Sequence, residues 1–390
     1  MKPLSRITEK FTESVIREMT RICDSMGGYN LSQGFPDFES PLELKKAAMK
    51  AIAEGNNQYP ITFGEKELRE TIARKAMSYN KIKCDPAADI TVTCGATEAM
   101  IASLKAVINP GDEIIIFEPF YENYGPDSIL SGAIPRYVTL RWPEWKYDPK
   151  ELARAFNNKT KAIIINTPNN PTGKVFSKKE LGEIASLCKK WDCLAITDEI
   201  YEHILYDGQK HISIASIDGM KERTITINSI SKTYSVTGWR VGWAIANEKI
   251  TKRIRKVHDF LTVGAPTPLQ VAAAFALRMP KTYYKGLAQK YESSRNFLFS
   301  LLKETGFNPV LPKGAYYIIS ETSQLMKLLK VKDDFSLAKK LIEFTGVASV
   351  PGSSFYSIKE KGINQLRFCF CKKQETLDKV KKGLLKLKKL

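Results

Sequence analysis

The chain lacks any apolar run approaching the roughly 18 residues that a membrane-spanning helix needs. Its first twenty residues, Met1 to Thr20, alternate charged and apolar side chains without an apolar stretch followed by a small-residue cleavage site. No membrane partner and no export are expected. Histidine is scarce, with only His203, His211 and His258, and the seven cysteines (Cys23, Cys84, Cys94, Cys188, Cys193, Cys369, Cys371) form no C-x-x-C pair. Zinc-ligand spacing is therefore missing, no metal is expected, and the thiols fit a reducing cytoplasm. Acidic residues are in deficit, 42 against 60 Lys and Arg, which gives a net charge of +18. The excess is spread along the chain and is densest in KKQETLDKVKKGLLKLKKL, where apolar residues at helical spacing alternate with lysines as on a solvated amphipathic face. No basic stretch interleaves with aromatics as a stacking platform would, so no nucleic-acid partner is expected. Internal repeats and low-complexity linkers are absent too. What remains is a 390-residue chain, 43% hydrophobic and 26% charged, able to bury a large core shared between two domains.

Helical patterns alternate with short β-branched runs, which predicts an α/β fold with a mostly parallel sheet and crossover helices. A helix is expected from about Arg6 to Ser25, then the turn-rich LSQGFPDFESP, then a helix from Leu42 to about Glu54. ADITVTCGATEAM reads as strand, glycine turn and helix; DEIIIFEPFY, KAIIINTPNNPTG and CLAITDEIYEHI read as strands with polar loops, and TITINSISKTYSVTGWRVGWAIA closes the series. One long helical stretch, about Pro268 to Thr305, leads to GAYYIISE, GVASVPGSSFY and NQLRFCFC, whose period-two pattern predicts strands of a smaller α+β domain. The expected division is 1–40 as a segment packing with the small domain, 41–275 as the large domain and 276–390 as the small one.

Each of four strand-like runs ends in a polar loop, and the carboxyl ends of strands are where doubly wound sheets bind ligands. In SISKTYSVTGWRVGW, Lys232 sits among hydroxyl residues with Ser229 before it and Arg240 after it. A buried, desolvated lysine acts as a neutral amine and can form a Schiff base, while a serine and a guanidinium fork can hold one phosphate. Taken alone, a lysine in a Ser/Thr loop is surface decoration.

The ordered set TCGATEA, NTPNNPTG, DEIYE and SKTYSVTGWRVGW is similar to the class I aminotransferases, the fold-type-I enzymes dependent on pyridoxal phosphate (PLP), from about Leu31 to Phe370. QGFPDF and QLRFCF resemble the glutamine/kynurenine/methionine and aromatic branch. The resemblance implies PLP as cofactor, amino-acid and 2-oxo-acid substrates, and a ping-pong amino transfer. It implies that Lys232 carries PLP and moves the proton between the substrate Cα and C4′ of the cofactor. Asp198 would partner the protonated pyridine nitrogen, against a rival reading as a helix N-cap before EIYEHI. Asn170 and Tyr201 would bond the phenolic oxygen, and Tyr121 would stack on the ring. The N–H groups of Ala96 and Thr97 at a helix N-terminus, with Ser229 and Arg240, would form the phosphate cup. Arg367, costly to bury unpaired, would grip the substrate carboxylate with Asn170 and the backbone at Gly34. Tyr59 would reach the neighbouring subunit's phosphate, making a homodimer with shared active sites the minimum active unit.

The chain departs from the glutamine/kynurenine branch in KVHDFLTVGAPTPLQ, where Val263 and Gly264 replace a bulky aromatic or His. With Phe260 and Leu261 this loop is expected to flank the side-chain pocket, favouring a large neutral donor: aromatic, methionine, glutamine or kynurenine. Arg17 or Arg21 on the first helix could supply a second cation. An aspartate/2-oxoglutarate aminotransferase and a cysteine-S-conjugate β-lyase therefore stay open as alternatives. About thirty residues precede the resemblance, too few for the winged helix of a PLP-binding regulator.

Overall fold

The computed structural model describes residues 2–390. The N-terminal stretch does not form the single helix expected. Arg6–Lys10 is a 3₁₀ turn with no buried residue to hold it, and helix α1 (Val15–Ser25) begins only where the Ser14 hydroxyl accepts from Arg17 N. Ile16, Met19 and Cys23 form the buried stripe of α1. Strand β1 (Tyr29–Asn30) follows, then helices α2 (Leu42–Ala53) and α3 (Lys66–Lys75).

The central sheet has seven strands: β2 (Ile90–Thr93), β3 (Glu113–Glu118), β4 (Ile134–Thr139), β5 (Thr160–Asn166), β6 (Leu194–Asp198), β7 (Thr224–Ser229) and β8 (Gly242–Ile245). Their order across the sheet is β2-β8-β7-β6-β5-β3-β4, and only the pairs made by β8 are antiparallel. Successive β3 side chains enter opposite cores, Ile114 and Ile116 on one face, Ile115 and Phe117 on the other. That two-sided burial is why these runs are apolar throughout rather than alternating. Because β8 runs backwards, its start at Gly242 lies at the same edge as the carboxyl ends of β2, β6 and β7. Helices α4 (Gly95–Val107) and α5 (Tyr124–Leu130) begin at this edge, after β2 and β3.

The remaining strands are β9 (Asn308–Pro309), β10 (Tyr317–Glu321), β11 (Val347–Ala348), β12 (Val350–Pro351) and β13 (Gln365–Cys369). They form a four-stranded sheet, β12-β13-β10-β9, while β1 pairs in parallel with β11, tying the N-terminal segment to the C-terminal part. Here too one expectation fails. β13 is buried at all five positions instead of alternating: residues of one face join the core with the long helix Lys281–Glu304, and Arg367 turns toward the central sheet's edge. The expected helix from Pro268 to Thr305 is two helices, Thr267–Ala276 and Lys281–Glu304, parted at Pro280, which has no amide hydrogen to continue the ladder. Among the described residues no helix is long and apolar enough to cross a membrane.

Candidate active site

A cavity of about 410 Å³ opens where the polar edge of the central sheet meets β10 and β13. Of the residues expected at a site, Gly34, Ala96, Thr97, Tyr121, Asn170, Asp198, Tyr201, Ser229, Lys232, Arg240 and Arg367 all line it. Tyr59 does not: it is 84% exposed on the outer surface.

At one end, Gly95 opens α4 and Ala96 and Thr97 follow in its first turn. Arg240 donates to the Thr237 carbonyl (2.9 Å) and reaches Thr97 Oγ1 at 3.5 Å. A Cβ on Gly95 would come within 2.5 Å of Arg240 Nη2, so only glycine lets the guanidinium lie against the start of the helix. Ser229, the last residue of β7, accepts from the Ser231 amide at 3.3 Å. A helix N-terminus, a guanidinium and a serine hydroxyl around one concavity suit a phosphate dianion.

In the middle stand Lys232 and Asp198. Among the described residues Lys232 Nζ donates only to the Gly34 carbonyl, at 3.3 Å. Burial, reinforced by the nearby positive charges of Arg240 and Arg367, brings its amine down to about 8. Asp198 does not cap a helix; Ile200 to His203 form turns, and the Ile200 amide donates to Asp198 Oδ1 at 3.3 Å. Burial pushes the Asp198 carboxyl up to about 6, although the Tyr124 hydroxyl donates to its Oδ2 at 2.7 Å and opposes that rise. Such a carboxyl favours a cation beside it. Tyr121, walling the same space, meets Tyr124 edge to face with ring centroids 5.7 Å apart, and burial pushes its hydroxyl up to about 12.

Behind this centre, Glu199, Glu202 and His211 bring one donor atom each to within 4.8 Å of one another. The carboxylates are already engaged, Glu202 by Lys75, by Asn80 (2.6 Å) and by Asn228 (2.7 Å), Glu199 by His211 (2.8 Å). This buried network joins the residues following Asp198 and preceding Ser229, and so fixes both strand ends.

At the other end, Arg367 on β13 is 1% exposed. It donates from Nη1 to Asn170 Oδ1 (2.9 Å) and from Nη2 to the Ser32 carbonyl, and Nε is buried without a partner. Its guanidinium carbon lies 4.3 Å from the Tyr317 ring centroid. The Asn170 acceptor oxygen is thus turned to Arg367. Tyr201 bonds Tyr317, hydroxyl to hydroxyl at 2.9 Å. Gly34 is required because a Cβ there would collide with the Tyr317 hydroxyl.

Tyr124 and Tyr317 are site residues that the sequence reading missed. Tyr124 is the first residue of α5, three positions beyond Tyr121 in the preceding loop, and only the turn between them brings both rings to the cavity; nothing local marks Tyr317. The loop of Phe260, Leu261, Val263 and Gly264 corrects the pocket expectation: none of the four lines the cavity within one chain, and Phe260 is 94% exposed. The helix that ends at this loop, Glu248–Leu261, packs against α4, and the Gly264 carbonyl lies 3.5 Å from Cys94 Sγ, just before α4. Arg17 does line the cavity, whereas Arg21 is bridged to Glu13 at 2.7 Å and stands off it.

Residues 27–384 match the family model of the class I and II aminotransferases. The chain is 38% identical to a kynurenine–oxoglutarate transaminase of Dictyostelium discoideum, covering 99% of this chain and 96% of that one. Among solved structures, N-succinyldiaminopimelate aminotransferase of Mycobacterium tuberculosis superposes with a TM-score of 0.94 at 35% identity, over 99% of this chain and 100% of the other. An Escherichia coli protein with a methionine aminotransferase function gives 0.93 at 33% identity over the whole of both chains. The chain belongs to the class I and II aminotransferases, with the fold-type-I architecture of the PLP-dependent transferases and in their kynurenine/aromatic branch. It is an enzyme, a transaminase that moves an amino group from an amino acid to a 2-oxo acid.

Proposed function

We propose that the cavity holds PLP and carries out the transfer on a large neutral amino acid, aromatic, methionine, glutamine or kynurenine, as donor. The observation that supports this most strongly is a pair of cations facing one cavity, the half-buried Lys232 and the fully buried Arg367, neither with a carboxylate within salt-bridge distance among the described residues. Burying such charges is unfavourable unless a ligand completes them. The family implies PLP, and the donor set fits it: a phosphate concavity, an amine near its neutral form and a carboxyl suited to a ring cation.

When bound, PLP supplies a conjugated ring that takes up the electron pair left as the substrate Cα loses its proton. Lys232 would hold the cofactor covalently and would carry the proton between the substrate Cα and the cofactor C4′. Asp198, braced by Tyr124, keeps the ring nitrogen protonated. Ala96, Thr97, Ser229 and Arg240 hold the phosphate, and Tyr121 covers the ring. Tyr201 and the Asn170 amide donate to the phenolic oxygen. Arg367 presents its free Nε edge to the α-carboxylate, with Asn170 and the Gly34 backbone beside it.

The active unit we propose is a homodimer in which Tyr59 serves the neighbouring site; its exposure, with that of Ile61 (53%) and Phe260, supports a covered surface there. Residues 41–275 are read as the PLP-binding domain and 276–390 as the small domain, with 1–40 packed on the latter. Seven free thiols support a cytoplasmic location. Relatives named for kynurenine and methionine support the donor class. The test is a donor panel at fixed 2-oxoglutarate after loading with PLP. Turnover of phenylalanine, methionine, glutamine or kynurenine above aspartate is expected; aspartate ahead of all four overturns the donor class.

A further inference from the structure

The cavity is lined by further charges that the roles proposed above leave unused. The Ser14 hydroxyl, which caps α1, also donates to Glu122 Oε1 at 2.5 Å, tying the start of α1 to the loop after β3. Glu122 is held in place, and its second oxygen has no hydrogen-bond partner among the described residues. Arg17, within the first turn of α1, lines the same cavity, and its guanidinium has no hydrogen-bond or carboxylate partner among the described residues. A free fork of donors, on the exposed Arg17, and a fixed acceptor therefore border the cavity that Arg367 also lines.

We propose that Arg17 and Glu122 together select the donor's side chain, favouring a neutral end that sets a hydrogen-bond acceptor beside a donor, as a carboxamide or an amino-ketone does. The inference rests on the transaminase site proposed at Lys232 and Arg367. A carbonyl oxygen accepts from Arg17 while an N–H donates to Glu122. A carboxylate gains Arg17 but meets the charge of Glu122, and an ammonium meets the reverse conflict. A hydrocarbon of equal length strips water from both charges and returns no hydrogen bond. Discrimination thus comes as much from the group that opposes the wrong substrate as from the one that attracts the right one.

Glutamine, glutamate and methionine have similar lengths and separate these cases. With pyruvate as acceptor, which has no distal group of its own, kcat/KM of the PLP-loaded wild-type enzyme is expected to rank glutamine first. Glu122→Gln should raise the glutamate-to-glutamine ratio by about tenfold, and Arg17→Met should lower the glutamine-to-methionine ratio by about tenfold. Thermal unfolding of each variant confirms that the ratios come from folded protein. Both ratios staying within about twofold of wild type in folded, active variants overturns the proposal, as does a wild-type enzyme that ranks methionine or glutamate above glutamine. A wild-type enzyme that turns over none of the three overturns the transaminase site itself.

Discussion

The two ends of the cavity are built in opposite ways. The end proposed to hold phosphate is made by segments that follow directly from strand ends, the helix start Gly95 to Thr97 and the stretch Ser229 to Arg240, and its guanidinium already has the Thr237 carbonyl for a partner. The substrate end is assembled from distant segments, with Ser14 and Arg17 on α1, Ser32 to Phe35, Asn170, Tyr317 and Arg367, and it leaves the Arg367 Nε unpaired. The first end is rigid because a sheet edge and a helix start define it. The second depends on how the N-terminal segment and the C-terminal strands sit against the sheet, so it is where relatives of one fold can differ in substrate. Lys232 stands between them, and the comparison sharpens when each part is removed in turn.

The largest effect is expected for Lys232→Ala. In the proposed roles it removes the covalent anchor and the proton carrier together, and it should lower turnover beyond the 10²–10⁴-fold typical of losing an acid/base group alone, with circular dichroism unchanged. Retention of more than about a hundredth of wild-type turnover would assign the anchor to another lysine. Next is Asp198→Asn, which should keep PLP yet lose about 100-fold or more in kcat, because an amide does not hold a ring proton by charge.

Arg367→Lys should raise KM by about tenfold or more for every donor and acceptor alike, since a point charge does not replace a fork. An effect confined to some donors would instead place Arg367 among the side-chain contacts. The smallest change expected is for Tyr124→Phe, a loss of about 1 kcal/mol from one hydrogen bond. Its sign is definite: the Tyr124 hydroxyl holds the Asp198 carboxyl down against burial, so its removal raises that carboxyl further. In the ligand-free protein Asp198 already binds its proton more tightly than an unfolded aspartate does. The stability this contributes is complete below about pH 4 and declines as pH rises through about 6, and Tyr124→Phe should move the upper limit of that decline to higher pH, as thermal melts against pH would record.

The same contrast decides what the sequence discloses. Ala96, Thr97, Asp198, Ser229, Lys232 and Arg240 lie where an apolar strand gives way to a polar loop, and strand ends at one sheet edge converge by topology alone. Arg367 was visible as a charge inside an apolar strand. Tyr317 was not, because its role comes from meeting Tyr201, in the turns after β6, and no local pattern encodes a partner 116 residues away. The pairing of Ser14 with Glu122 is hidden for the same reason, at a separation of 108 residues. Residues 260–264 do not line the cavity within one chain; Phe260, Leu261 and Val263 are exposed, as are Tyr59 and Ile61.

The central claim is that Lys232 is a desolvated amine, ready to react near neutral pH, set between two anion-binding ends. With the amine brought down to about 8, roughly a tenth of it is neutral at pH 7, against a few parts in ten thousand for an ordinary lysine. The direct test is the rate at which ligand-free protein takes up PLP, followed from the absorbance band above 400 nm across pH 6 to 10.5. The rate should climb through pH 8 and then level off, and the band should be missing in Lys232→Ala. A rate that keeps rising to pH 10, or an undiminished band in the variant, would contradict the account.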